Sequence, residues 1–309
     1  MSRLPLRHLT TSRLTASTAA SQMLQTFHNK SLTRRQVLDA NQLHKLSLTL
    51  NRNITSPPPS GTPIPPAHHL IYFTPSSPEN DLGPDGTDRT FNAPSPFTRR
   101  MWAGGRMSWT GELRVGDEVE EQTRLLSATA KKSKSVGEMV LVEVEKEFRG
   151  PKGVVVDTRS WVFRPEIETD VGEIVPGVLS RTPTTIVDIP AKDTGDYPIR
   201  QLMWSPVGLF RFSALTFNGH KIHYDAGWSQ GVEGHPGVVV HGPLNLINIM
   251  DYWGDVHGKT SPRSVTYRAM APLYAGDTYT IRTKGVSDSV FDIVAEKQGT
   301  VCMKAQVTG

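Results

Sequence analysis

The chain has one cysteine in 309 residues, Cys302, so it can form neither an intrachain disulfide nor a cysteine-based zinc centre. No apolar run approaches the roughly eighteen residues that a helical membrane span needs. The first 38 residues lack aspartate and glutamate altogether, yet carry Arg3, Arg7, Arg13, Lys30, Arg34 and Arg35. Removing those six from the 34 basic residues leaves 28 against 30 acidic ones. The sequence pI near 9.1 therefore comes from this leader, and the near-neutral remainder gives no purchase for a nucleic acid.

A segment rich in Arg, Ser and Thr and free of acids has the composition of a mitochondrial transit peptide, and here Ala20, Leu24 and Phe27 fall at spacings that line one helical face. Residues 1–38 are expected to be a removable leader, and the mature protein is expected in the mitochondrial matrix.

With 37% apolar and 21% charged residues, the rest is ordinary globular chain, long enough for two average domains. Residues 39–66 read as a short helix near 39–50, then a linker with six prolines between 56 and 66. The run 68–73 reads as a strand entering a first folded unit, 67–170. The polar, Gly- and Pro-dense stretch 74–106 is too long to be an idle loop and is expected to serve function. Val140, Val142 and Val144 alternate with Leu141, Glu143 and Glu145, as in a half-buried strand. A turn-rich link, 171–200, precedes a second unit, 201–309.

The two units look like copies. Leu113-Arg-Val-Gly-Asp117 recurs as Leu273-Tyr-Ala-Gly-Asp277, Glu145-Lys146 as Glu296-Lys297, and Gly153-Val-Val-Val156 as Gly299-Thr-Val-Cys302. Gly-Asp before a strand marks a turn, with Gly supplying the φ and Asp the local hydrogen bond. One long apolar helix is expected near 241–253, opened by Pro243 in its first turn and apolar on more than one side. A helix wrapped by antiparallel strands follows.

Within about forty residues the chain gathers His220, His223, His241, Asn218 and Asp225, more proton-handling groups than anywhere else. The motif from Ser213 to Asp225, SALTFNGHKIHYD, followed by a helix opening at His241-Gly242, resembles the signature of the MaoC-like and (R)-specific hydratases of the hot-dog superfamily. Their pattern is close to Y-A-x-x-S-G-D-x-N-P-I-H-x-D. The wording is nearest the branch of 3-hydroxyacyl-thioester dehydratases type 2 and mesaconyl-CoA hydratase-like proteins, which PFTRRMWAGGRMSW (96–109) also resembles. The resemblance runs from about residue 60 to the end. It implies an α+β double hot-dog, two curled antiparallel sheets each wrapping a central helix, with a degenerate first copy and the active motif in the second. It implies a hydro-lyase, without a cofactor, that interconverts 3-hydroxyacyl and 2-enoyl thioesters in a type II fatty acid synthesis step. The substrate would be carried on coenzyme A or an acyl carrier protein. A double hot-dog is complete as a pseudo-dimer, so a monomer or a homodimer is expected.

His223 falls on the family's active histidine and Asp225 on its trailing aspartate. Asn218 falls where the wider family has its catalytic aspartate, and His220 where it has asparagine. Adding water to an enoyl thioester needs a group that exchanges protons at neutral pH, and histidine is that group. His223 is assigned this role. Asn218 orients the water or the substrate hydroxyl, and the Gly242 amide at the helix N-terminus meets the developing enolate. His241 caps or positions that turn, Asp225 binds substrate, and Arg99, Arg100 and Arg106 are candidates for the carrier's phosphates. Two further readings stand beside this one. One is a hydratase of mesaconyl-type dicarboxylyl-CoA. The other is a non-catalytic acyl-thioester-binding subunit, for which the missing carboxylate at 218 argues. His220, His223, His235, His241 and Asp225 could also ligate a metal. On a strand, however, 223 and 225 share a face that 220 does not, so none is expected.

Overall fold

Among the described residues eleven strands form one antiparallel sheet, whose order is a palindrome about its centre. In chain order they are β1 (Ser31–Val37), β2 (Arg99–Gly111), β3 (Glu118–Ser133), β4 (Gly137–Gly150), β5 (Gly153–Arg164), β6 (Thr185–Ile189), β7 (Ile199–Met203), β8 (Ser264–Ala269), β9 (Thr278–Ser287), β10 (Val290–Lys297) and β11 (Thr300–Thr308). The computed structural model describes residues 14–134, 137–167, 182–193, 195–259 and 261–309. β2 and β8 pair at the centre. Outward from them run β5, β4, β3 and β1 on one side and β11, β10, β9, β7 and β6 on the other.

The repeated turns have the same geometry. In the first, Arg114 N donates to Asp117 Oδ2 at 2.8 Å; in the second, Tyr274 N donates to Asp277 Oδ2 at 3.0 Å. Gly116 and Gly276 stand at φ +88° and +87°, a left-handed conformation that favours glycine. Isolated bridges Pro63–Arg114 and Val239–Tyr274 bring the chain into each half at matching places. This is a double hot-dog built by two repeats meeting edge to edge.

The repeats then diverge. After Val239 the chain enters a helix, Gly242–His257, that carries Pro243 in its first turn and ends at Gly258 in the left-handed region. It packs on β9 and β10, and Leu244, Leu246, Ile247, Ile249, Tyr252 and Trp253 are buried. Between Pro63 and β2 there are only two short 3₁₀ turns, His68–Ile71, where a strand was expected over 68–73, and Glu79–Asp81. Pro65 and Pro66 cannot donate to a ladder, and Ala67 at φ +66° turns the chain away. The first half-sheet has only short 3₁₀ turns where the second has a sixteen-residue helix.

Other helices frame these halves: α1 (Ala16–Phe27), α2 (Ala40–Thr49), α3 (Pro206–Leu215) and α4 (Ala226–Gly231), which makes the long helix α5. Asp39 caps α2, accepting from Gln42 N at 2.9 Å. Ser205 caps α3 in the same way, with Pro206 following it. The stretch 211–225 is therefore helix, turn and 3₁₀ helix rather than strand.

From residue 14 onward, the segment expected to be a removable leader stands inside the fold. α1 buries Ala16, Ala19, Ala20 and Met23 in a cluster with Phe97, Val140, Val142, Trp161 and Phe163. β1 pairs along β3, and Arg34 donates to buried Glu121 at 2.8 Å and to the carbonyls of Phe73 and Thr74. Residues 1–13 lie outside the described residues, as do 171–181 and 194 of the expected link; the described part of that link contributes β6 and the start of β7. A chain that begins at residue 14 is the reference for the role of α1. Deleting 1–28 uncovers the cluster and is expected to cost at least about 2 kcal/mol, the burial of Met23 alone. Thermal unfolding of both truncations checks this, and equal stability of the two would refute a structural role for α1.

Candidate active site

The 3₁₀ turn Lys221–His223 points His223 inward, where its side chain is buried. Nδ1 lies 2.8 Å from the Val239 carbonyl, which can only accept. The proton therefore sits on Nδ1, and Nε2 keeps its lone pair. Burial, then the neighbouring His220 imidazole, lowers the His223 pKa to about 3. His223 is thus a neutral base throughout the physiological range.

The His241 ring stacks on His223, with centroids 3.6 Å apart and planes 18° apart. Ser213 Oγ, on the last turns of α3, holds His241 Nε2 at 2.8 Å. Burial and the two nearby histidines push the His241 pKa well down. Its side chain makes no capping bond to α5, contrary to the expected capping role; it is a plate that fixes the His223 ring. Gly242 follows as the first residue of α5, among the amides that a helix leaves without internal acceptors. A Cβ at Gly242 would lie 2.8 Å from Cγ and Cδ1 of Trp102, so only glycine lets that indole close against the helix start.

These groups border a cavity of about 460 Å³, within the range of ordinary small-ligand sites. Asn218, His220, His223, His241 and Gly242 form one part of its wall. Leu70, Phe73, Met101, Trp102 and Trp161 supply an apolar part. Arg100 also borders the cavity, its guanidinium 4.3 Å from the Trp161 ring centroid. Burial, opposed by Asp88 and Asp85, lowers its pKa to about 10.

Of the residues assigned from sequence, the structure brings together His223, Asn218, Gly242, His241 and Arg100. It places three elsewhere. Asp225 caps α4, accepting from Trp228 N at 2.9 Å, and does not border the cavity. Arg99 is turned to Glu233, with Nε 3.2 Å from Oε2 and a second bond to the Glu233 carbonyl. Arg106 is exposed and reaches only Thr158 Oγ1 at 3.5 Å. Arg159, Arg164 and Arg268 border the cavity instead.

His220, which falls where the wider family has asparagine, is buried and lines the cavity. Its Nε2 is 3.7 Å from Asp85 Oδ2 and 3.8 Å from Glu233 Oε1. Among the described residues this trio is the one group whose ligand atoms, all within 4.8 Å of one another, could hold a metal ion. The strand-face argument that set His220 aside does not apply, because the segment is not a strand. The density of the 74–106 loop signalled function, but nothing local pointed to Asp85 or to Glu233.

Residues 67–275 match the hydroxyacyl-thioester dehydratase type 2 family. A curated mesaconyl-C(4)-CoA hydratase of Chloroflexus aurantiacus is 34% identical over 227 residues, which is 71% of this chain and 76% of that protein. The mitochondrial hydroxyacyl-thioester dehydratase type 2 of Schizosaccharomyces pombe is 26% identical over 241 residues, 74% of this chain and 77% of that one. The crystal structure of a MaoC-like dehydratase from Phytophthora capsici superposes with a TM-score of 0.63 over 91% of this chain and 95% of its own, at 15% identity, and shares the fold. The matched span takes in the truncated helix of the first repeat, the histidine turn and the start of α5. On that extent of agreement, the chain belongs to the hydroxyacyl-thioester dehydratase type 2 family.

Proposed function

We propose that this hydro-lyase adds water to straight-chain 2-enoyl thioesters and removes it from 3-hydroxyacyl thioesters in the mitochondrial matrix, on coenzyme A or an acyl carrier protein. The observation that carries the reading is a buried, neutral His223 whose Nε2 lone pair is left for the cavity beside the N-terminus of α5. In the hydration direction Nε2 takes a proton from water as its oxygen bonds to Cβ. The π electrons move toward the thioester oxygen, where the α5 amides stabilise the enolate. A proton then arrives at Cα to complete the 3-hydroxyacyl product. Asn218 Oδ1 already accepts from His220 N at 3.1 Å, so the amide has only its NH₂ to offer a water or hydroxyl. The apolar wall suits an acyl chain, and exposed Arg268 suits a carrier phosphate. The mitochondrial setting rests on the acid-free N-terminal segment and on the named compartment of the fission-yeast relative.

Arg100 favours a second reading. Among the described residues no carboxylate forms an ion pair with this cation on the cavity wall, so a dicarboxylyl thioester could place its free carboxylate there. Steady-state hydration of crotonyl-, 2-hexenoyl-, 2-decenoyl- and mesaconyl-type CoA esters separates the two. The straight-chain esters are expected to exceed the dicarboxylyl ester in kcat/KM by at least about tenfold, the scale of one mismatched pocket contact. The reverse order establishes the second reading. Tight binding without turnover of any ester would leave a thioester-binding protein.

A further inference from the structure

We infer that Asp85, His220 and Glu233 form the second proton-handling unit of this active site, with His220 as a catalytic residue and the two carboxylates as positioning residues. The inference rests on the hydration chemistry proposed above. That chemistry needs two proton transfers, one at the oxygen and one at Cα, and His223 serves the first. Asn218 cannot carry a proton. Among the described cavity residues, the other titratable groups are committed elsewhere. His241 is bonded to Ser213 and stacked on His223, and Asp88 accepts from Ser77 and from Thr90 N. His235 faces Tyr274, the Tyr72 hydroxyl donates to Asp39 O, and the Cys302 thiol donates to Thr300 O.

His220 is placed for the task. Its ring meets His223 edge-on, with centroids 5.3 Å apart, and turns Nε2 toward the two carboxylates. At 3.7 and 3.8 Å these are ion-pair rather than hydrogen-bond distances, and Nε2 has no hydrogen-bond partner although the side chain is only 7% exposed. Both carboxylates are held from behind. Asp85 Oδ1 accepts from Thr87 N at 3.0 Å and Thr87 Oγ1 at 2.8 Å, and Glu233 is held by Arg99. The Asp85 loop is locked to the histidine turn by a backbone contact that excludes any side chain. A Cβ on Gly86 would lie 2.0 Å from the Gly219 carbonyl oxygen, and Gly86 itself stands at φ +82°. Lys221 N donates to Asp85 O at 2.8 Å, and Lys221 Nζ to Pro84 O at 2.7 Å.

Charge decides between a proton and a metal ion. The Glu233 carboxylate already faces Arg99, and the Arg100 cation acts on Asp85. A divalent cation would add two uncompensated charges to this buried group; an imidazolium adds one, and gives it up during turnover. With the water proton passing to His223 Nε2, the His220 imidazolium supplies the proton that forms the Cα–H bond and ends neutral. Proton exchange from His223 to His220, directly or through water, restores the start. One water is added, and no oxidant or reductant is needed. The charged and titratable groups facing His220 are Asp85, Glu233, His223, His235 and His241, with Arg99 and Arg100 behind the carboxylates.

The test uses the full chain and the variants His220→Gln, Glu233→Gln and Asp85→Asn, with folding verified by circular dichroism. His220→Gln is expected to lower kcat by about 100-fold with KM changed less than about threefold. Glu233→Gln, which keeps shape but removes charge, is expected to lower kcat with KM changed less than about threefold and to displace the kcat/KM pH profile, an effect that lost packing alone would not produce. Purified protein should hold no stoichiometric metal, and EDTA should leave the rate unchanged. A His220→Gln enzyme within about threefold of wild-type kcat overturns the inference alone. So does an unmoved Glu233→Gln profile, which decides the matter if His220→Gln fails to fold, and so does a bound metal whose removal abolishes turnover. A wild type inert toward every enoyl thioester overturns the functional proposal and this inference with it.

Discussion

Replacing His223 by alanine lowers kcat/KM for crotonyl-CoA hydration by about 10³-fold, the middle of the range for loss of a positioned proton-transfer group. The expectation rests on the tautomer. The Val239 carbonyl takes the Nδ1 proton and burial keeps the ring neutral, so the variant loses a base that is already in its reactive form. Alanine also removes the ring on which His241 stacks, which could lower activity through disorder rather than chemistry. His223→Gln separates these causes. Its amide NH₂ can still donate to Val239 O and its side chain fills much of the space, but it has no basic nitrogen. Both variants should fall equally. A glutamine variant within about tenfold of wild type would show that His223 only holds the site together.

Much of this was legible in the sequence, for identifiable physical reasons. Pro243 and the apolar positions after it announced α5, because a buried helix needs apolar residues on every side. The two Leu-x-x-Gly-Asp turns announced the repeat, because a left-handed glycine and a local carboxylate acceptor leave a short linear trace. The motif placed His223, Asn218 and Gly242 on one cavity. What was not legible depends on contacts distant in sequence. Asp85 stands 135 residues from His220 and is brought to it where Gly86 packs on Gly219, while Glu233, 13 residues on, arrives by way of α4. Asp225 looked like part of the site but serves as a helix cap, a role that the same residue type fills equally well. In the N-terminal segment, composition masked structure. Arg34 reads as part of a basic leader, yet its partner Glu121 is 87 residues away on β3. The degenerate first repeat shows the same limit: 35 residues lie between Pro63 and β2 against 24 between Val239 and β8, yet in the first repeat they form only short 3₁₀ turns, and only the fold shows that several of them line the cavity.

The same burial that keeps the site's histidines neutral makes the protein sensitive to mild acid. His69, His223 and His241 are buried, and each has its pKa lowered below 6.5, first of all by burial. Near His69, Asp157 is neutralised mainly by Arg159 at 2.6 Å, so the ring need not be charged. The direction of the effect follows from proton uptake. Below pH 6.5 the unfolded chain binds a proton at each histidine and the folded chain does not, so stability is full above that pH and falls as pH falls. Each group contributes up to about 1.4 kcal/mol per pH unit. Between pH 7.5 and 5.5 only the last unit counts, and His223, whose folded value is about 3, alone removes about 1.4 kcal/mol, with His69 and His241 acting in the same direction. The depressed carboxylates Glu121, Asp157 and Asp251 oppose nothing in this window, because their contribution is lost only below about pH 4. Urea unfolding at pH 7.5, 6.5 and 5.5 reads the loss directly. His69→Gln, at a residue that does not itself border the cavity, should lessen the slope below pH 6.5. Stability that stays level to pH 5.5 would mean that the folded protein protonates these imidazoles, and His223 would then enter the reaction as an acid instead of a base.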